Sequence, residues 1–138
     1  MQELKTLPVR IDLEEHKFGA QVKAPGFLLT TQGDTVEGVL ENLRNLLTDY
    51  LAHEGKNNPE WQNIQAKEVT FTCEYDLAAF FEHFKELKIS VIATRAGINS
   101  NLLQQYVSGN KRASENQAKK IQTAVHLLAS ELRQIALS

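Results

Sequence analysis

The chain has 138 residues, enough for one compact domain or two small ones, and 42% of them are hydrophobic, which suffices for packed cores. No apolar run reaches the roughly 18 residues of a membrane-spanning helix, and the first residues lack the apolar stretch of a signal peptide. The single cysteine, Cys73, excludes an intramolecular disulfide and a cysteine-based metal cluster. We therefore expect a cytoplasmic protein with no metal or other cofactor.

The formal net charge of −2 conceals two halves of opposite sign. Residues 1–76 hold 7 Lys and Arg against 13 Asp and Glu, a balance of −6, and residues 77–138 hold 8 against 4, a balance of +4. This distribution is expected if one half contacts phosphates while the other avoids them or binds a basic protein.

The first half predicts strands, because apolar and polar residues alternate over 9–14, 18–23 and 69–75. A shorter strand is expected from Phe27 through Thr31, ending at Gln32-Gly33. Cys73, on the last strand, is predicted to be a core residue. Asp34 followed by Glu37 predicts a helix with Asp34 as its N-cap. Its expected apolar face comprises Val36, Val39, Leu40, Leu43, Leu46, Leu47, Tyr50 and Leu51.

The order of these elements, ββ β α β, predicts an antiparallel sheet that is covered on one side by a single amphipathic helix. The polar segment from His53 to Glu68 predicts a loop, in which Trp61 and Ile64 pack back against the core. Asp76 is the predicted N-cap of the next helix and begins the second half. The domains are therefore predicted over residues 1–76 and 77–138.

The second half contains two predicted short helices hinged at Gly97, a residue that tolerates positive φ at a helix C-terminus. Asn99 is a suitable N-cap for the second of them, and Gly109 ends it. Two helices around a tight glycine turn predict a helix-turn-helix, whose second helix contacts base edges in the major groove. The predicted DNA-contacting residues are Asn99, Ser100, Asn101, Gln104 and Gln105. Lys111 and Arg112 are predicted to contact the DNA phosphates.

Two alternatives remain open at this point. The same pattern fits a small helical bundle with an Asn- and Gln-rich surface that never binds nucleic acid. Ser114 predicts a last, long helix whose apolar residues recur at alternating spacings of three and four. The end of that helix either belongs to the core or pairs with a second copy of the chain. Its apolar positions are Ala118, Ile121, Val125, Leu128, Leu132 and Ile135.

Both halves resemble known families. Residues from about Val9 to Leu51, and above all the string TTQGDTVEGVLENLRNLL from Thr30 to Leu47, resemble the HicB antitoxin family. Residues from Leu77 to about Leu132 resemble the phage-repressor-like helix-turn-helix class, by the alanine at Ala93 and the spacing from Gly97 to Gly109. That class commonly has Gln where this chain has Ile89, and Glu where it has Val107.

The resemblance implies an α+β protein, with a partial ribonuclease-H-like βββαβ domain followed by an all-α helix-turn-helix domain. It implies an antitoxin that neutralises a HicA-type messenger-RNA-cleaving toxin and, as a homodimer or higher oligomer, represses its own operon by binding operator DNA. A basic toxin would be attracted electrostatically to the acidic half of the chain, residues 1–76. The candidate toxin contacts are Asp12, Glu14, Glu15 and Trp61.

Other functions fit the sequence less well. A ribonuclease H reaction needs several carboxylates around paired metal ions, but Asp12, Glu14 and Glu74 come without further ligands at suitable spacing. The four histidines form no nucleophile or zinc pattern, so we expect no enzymatic activity and no metal site. An orphan transcription regulator without a toxin, and a protein-interaction module with a degenerate helix-turn-helix, remain the alternatives.

Overall fold

The computed structural model describes residues 5–138 and is α+β, with two compact units that span residues 1–83 and 84–138. We call them the acidic unit and the basic unit. The strands are β1 (Lys5–Glu14), β2 (Lys17–Ala24), β3 (Phe27–Gly33) and β4 (Val69–Tyr75). The α-helices are α1 (Val36–Ala52), α2 (Leu77–His83), α3 (Ile89–Ala96), α4 (Ser100–Ser108) and α5 (Glu115–Gln134).

The boundary between the units follows His83 rather than the predicted Asp76. Asp76 does cap α2 as expected, because its carboxylate accepts a 2.7 Å hydrogen bond from the backbone N–H of Ala79. However, Ala79 is fully buried in the core of the acidic unit, and α2 packs against β1 and β4. Burial of this one helix face against the sheet places α2 with the first half of the chain.

The four strands form one sheet in the order β3-β2-β1-β4. β1, β2 and β3 form an antiparallel meander, and a two-residue turn in which Glu15 and His16 both have positive φ joins the first two strands. Positive φ at both turn residues matches the right-handed twist of the hairpin strands. The alternation predicted for β1 and β2 is confirmed, since Val9, Ile11 and Val22 are completely buried.

β4 runs parallel to β1, so the prediction of a wholly antiparallel sheet is wrong. The reason is the crossover through α1. The helix carries the chain back along the sheet after β3, so β4 has to run in the direction of β3, which is also that of β1. Hydrophobic periodicity alone does not distinguish the two directions.

α1 packs over β2 and β3, and its buried residues are Val36, Val39, Leu43, Leu47 and Tyr50. Leu46, predicted on this face, is 39% exposed, so the buried stripe is narrower than expected. The predicted N-cap is also one residue early. Thr35 caps the helix, because its hydroxyl accepts a 3.0 Å hydrogen bond from the backbone N–H of Gly38. Asp34 instead lies 3.6 Å from the Lys17 ammonium on the surface.

The segment between α1 and β4 contains two short 3-10 helices, at Glu54–Asn57 and Ala66–Glu68. Trp61 is buried, and the half-buried Ile64 packs against the core, as predicted. Arg44 of α1 fixes the end of this segment, since its guanidinium donates to the carbonyls of Ala66 and Val69, at 3.1 Å each. The return of the chain into β4 is therefore held by a long-range side-chain contact.

The basic unit packs α3 against both α4 and α5. Its buried apolar residues come from all three helices and from the turn after α3, and they are Ile92, Ala93, Ile98, Leu103, Ile121 and Ala124. Ser114 caps α5 through a 3.2 Å hydrogen bond from the N–H of Gln117, as predicted. Over residues 5–138, no helix is both long enough and apolar enough to cross a membrane.

The cap of α1 gives a direct test of the structure. Thr35→Ala should lower the free energy of unfolding by about 1 kcal/mol, because the N–H of Gly38 loses its acceptor. Asp34→Ala is the matched control and should cost clearly less. Urea unfolding of both variants measures the difference, and an equal or larger loss in the Asp34 variant would contradict this cap.

Candidate nucleic-acid interface

The turn between α3 and α4 is closed by a defined hydrogen-bond pattern. Gly97 has φ of 70°, in the left-handed region, and its N–H donates to the carbonyl of Thr94 at 3.2 Å. The N–H of Ile98 donates to the carbonyl of Ala93 at 2.9 Å. These two bonds, with burial of both Ile98 and Ala93, make a Schellman motif. A glycine is required here because a side chain disfavours this φ.

Asn99 then starts α4, as the sequence predicted. Its side-chain oxygen accepts hydrogen bonds from the N–H groups of Asn101 at 2.9 Å and Leu102 at 3.3 Å. Leu103, on the opposite side of the helix from Asn101, is completely buried. The direction of α4 and its rotation about its own axis are therefore fixed by a glycine turn, a side-chain cap and a buried leucine.

The solvent-facing side of α4 carries an uncharged polar stripe. Asn101, Gln104 and Ser108 are exposed and spaced three and four residues apart, so they project from one face of the helix. Ser100 is half-buried at the start of the helix. Ser108, which the sequence prediction omitted, lies on this face because it follows Gln104 by one helical turn. Helical spacing alone would have identified it.

The sequence predicts Gln105 as a freely exposed amide, and the structure places it differently. The residue is half-buried, and its Oε1 is buried without a hydrogen-bond partner among residues 5–138. The chain after α4 folds back at this point, since the N–H of Lys111 donates to the backbone carbonyl of Gln105 at 3.2 Å. Burial of Oε1 removes half of the paired donor and acceptor that an adenine edge would need.

The exposed stripe lies in a unit with a strong positive charge. Residues 84–138 hold 8 Lys and Arg against 3 Asp and Glu, a balance of +5. Lys111 and Arg112 are exposed just after α4, and Lys119 and Lys120 are exposed in the first turns of α5. Ammonium and guanidinium groups of this kind are the usual ligands of nucleic-acid phosphates.

The four candidate toxin contacts do not form one surface. Asp12 and Glu14 are exposed on the same face of β1, and Glu15 follows in the exposed hairpin turn. Trp61 is only 3% exposed, and its ring packs edge-on against Phe27 in the core. The prediction of Trp61 as a contact residue is therefore inconsistent with its burial. The three carboxylates remain as a cluster at one end of the β1–β2 hairpin.

Cys73 is exposed, so its predicted place in the core is wrong. It lies opposite the buried Val9 in the β1–β4 register, but β4 is an edge strand and α1 packs over β2 and β3 instead. Partial burial still raises the pKa of the Cys73 thiol above its ordinary value. Burial likewise raises the pKa of Tyr75, with smaller contributions from Cys73 and Glu37. A raised thiol pKa argues against a reactive thiolate at this position.

Over residues 5–138, no group of three or more His, Cys, Asp or Glu side chains is placed to hold a metal ion. The chain matches no protein-family model, no curated protein and no solved structure. What the two units do is therefore inferred from their side chains and charges.

Asn99, the N-cap of α4, and Asn101, in its first turn, should respond in opposite ways to removal of the side chain. Asn99→Ala should lower the free energy of unfolding by about 1 kcal/mol, because two N–H groups lose their acceptor. Asn101→Ala should be neutral or stabilising by a few tenths of a kcal/mol, because alanine is the better helix former. Chemical unfolding of the two variants tests this, and equal losses would contradict the assignment of the cap.

Proposed function

We propose that the basic unit is a helix-turn-helix domain that binds operator DNA, with α4 as the helix that reads base edges. The observation that carries this proposal is the exposed uncharged stripe of Asn101, Gln104 and Ser108 on a unit of net charge +5. Amide side chains both donate and accept hydrogen bonds, which suits sequence-specific contacts in the major groove. The surrounding lysines and arginines supply contacts that do not depend on sequence.

The α3–α4 geometry supports the same proposal. The short glycine turn and the Asn99 cap leave the first turn of α4 at the surface, where the N-terminal residues of a recognition helix are needed. Half-buried Gln105 cannot contribute a full amide edge, so the base contacts are assigned to Asn101 and Gln104 first. Lys111 and Arg112 are assigned to phosphates, and Asn99 to positioning the helix.

We further propose that the acidic unit binds a small basic protein, as in an antitoxin of the HicB type with a HicA-type toxin. The observed order of elements, with three strands, a helix and a fourth strand, supports the resemblance that suggested a partial ribonuclease-H-like fold. Residues 1–83 hold 7 Lys and Arg against 14 Asp and Glu, a balance of −7. A surface of this charge attracts a basic, RNA-cleaving protein and accelerates its association.

The DNA proposal is tested with the double-stranded DNA that lies directly upstream of the gene. Gln104→Ala should weaken specific binding by about 1 to 3 kcal/mol, the usual cost of one lost amide contact to a base. Gln122→Ala is the control, because Gln122 is an exposed amide on a different helix, α5. Fluorescence anisotropy at several salt concentrations gives both affinities.

Three outcomes of that titration are informative. Equal affinities for the Gln104 and Gln122 variants would remove α4 from base recognition. An absence of salt-dependent DNA binding by the wild-type chain would favour a protein-interaction module instead. DNA binding by a chain for which no basic partner is found would favour an orphan transcription regulator.

The partner proposal is tested by charge reversal in the hairpin. The double variant Glu14→Lys and Glu15→Lys should slow association with any small basic protein encoded beside this gene by about tenfold at low salt, with the difference shrinking at high salt. Surface plasmon resonance measures the association rate. The double variant Glu37→Lys and Glu41→Lys, at two exposed positions of α1, is the matched control, and equal slowing by both double variants would show only a long-range charge effect.

A further inference from the structure

The sheet of the acidic unit has two edge strands, β3 and β4, and they differ in how they meet solvent. At β4 the guanidinium of Arg44 donates to the carbonyl of Val69, and Glu74 places a charge on the strand itself. Charged side chains on an edge strand hinder its pairing with another chain. β3, with the sequence FLLTTQG, contains no charged residue and no proline. The edge at β3 is therefore the one that lacks such protection.

The backbone of β3 is also regular enough to accept another strand. Its register with β2 is continuous from Phe27 to Gly33, without a bulge. Alternate residues of an antiparallel strand direct their backbone groups to opposite sides. Phe27 pairs with Ala24 across the two-residue turn, so Leu28, Thr30 and Gln32 direct their N–H and C=O groups away from β2. Within residues 5–138, no backbone hydrogen bond from a turn, loop or cap involves β3.

Helix α1 adds an exposed apolar side chain above this edge. The helix packs over β2 and β3, and Arg44 on one of its flanks reaches β4. Leu46 lies about 160° from Arg44 around the helix axis, on the flank toward the free edge of β3. Leu46 is 39% exposed, and Leu28, on the other face of β3, is 56% exposed. A strand added beside β3 would cover Leu46 with one set of alternate side chains and Leu28 with the other.

The end of the sheet at which β3 terminates is acidic. Gly33 pairs with Phe18, so the last residue of β3 lies close to the β1–β2 hairpin turn. Residues 12–17 hold three acidic side chains against one lysine, and the exposed Asp34 follows β3 directly. With the balance of −7 over residues 1–83, this end attracts a basic segment and repels an acidic one.

We propose that β3 is a docking edge, to which an extended basic segment of a partner protein adds as a further strand of the sheet. The proposal rests on the proposed binding of a basic protein by the acidic unit, and it names the surface involved. Backbone hydrogen bonds to Leu28, Thr30 and Gln32 supply affinity, and alternate side chains supply selectivity. Apolar side chains of the segment contact Leu46, and its basic side chains lie on the open face of the sheet.

A second copy of this chain fits the same edge less well. If two β3 strands pair antiparallel over all seven residues, Leu28 lies opposite Gln32 and Phe27 lies opposite Gly33. The apolar residues of one strand then face polar residues or glycine of the other. The pairing also brings together two units that each have a balance of −7, which repel one another.

The test uses the full-length chain and a short peptide of alternating lysine and valine. Near saturation with the peptide, the amides of Leu28, Thr30 and Gln32 should exchange their hydrogens at least about tenfold more slowly, because each gains an acceptor. The amides of β4 should not change. Hydrogen exchange followed by NMR measures both edges in one sample. A peptide of alternating glutamate and valine should bind more weakly at low salt.

Two lysine variants of α1 locate the site. Leu46→Lys should weaken binding of the lysine–valine peptide by about tenfold, since it removes the apolar contact and adds a like charge. Asn45→Lys is the matched control, because Asn45 is exposed, gains the same charge and lies about 100° further from the sheet. NMR titration gives both dissociation constants. Leu28→Lys, expected to act as Leu46→Lys does, is used if circular dichroism shows that Leu46→Lys loses helix content.

Unchanged exchange at β3, or slower exchange at β4 instead, would overturn the proposal. Equal affinities for the two peptides, or equal weakening by Leu46→Lys and Asn45→Lys, would do the same. Slower exchange at β3 on concentrating the chain alone would assign the edge to a second copy. Any small basic protein encoded beside the gene separates the two proposals. If it binds without protecting β3, strand addition alone is rejected, and if only the peptide binds, the antitoxin function alone is rejected.

Discussion

The need to remove apolar helix stripes from water governs this structure. In the acidic unit the requirement is met within the chain: α1 lies over β2 and β3, and α2 inserts Ala79 beside β1 and β4. In the basic unit it is met for α3, α4 and the first half of α5, where Ile92, Leu103 and Ile121 are almost fully buried. It is not met beyond Leu128. Leu132, near the end of α5, remains exposed instead.

Charge is distributed in the same two parts as packing. The acidic unit has a balance of −7 and the basic unit of +5, so each is suited to a partner of the opposite sign. On the basic unit the helix proposed to contact bases is itself uncharged, and the cations lie beside it in Lys111, Arg112 and α5. That separation matches the separate tasks of reading bases and holding phosphates. On the acidic unit Asp12, Glu14 and Glu15 stay together at one hairpin end.

Several local features were predictable because their causes lie within a few residues. The strands β1 and β2, the turn at Gly97, and the caps at Asn99, Asp76 and Ser114 each depend on neighbouring residues alone. The cap of α1 was misplaced by one residue because Asp34 and Thr35 are both good caps, and only the backbone path into the helix selects Thr35. The direction of β4 and the exposure of Cys73 depend on the crossover and on which strands α1 covers.

The sequence by itself determined the element types, the opposite charges of the two halves and the uncharged face of α4, since periodicity and composition are local quantities. The tertiary structure decided how much of each side chain meets solvent. It buried the Oε1 atom of Gln105, and it left Cys73, Leu132 and Ile135 exposed. These outcomes depend on what lies across from a residue, and that is set by contacts between segments distant in the chain.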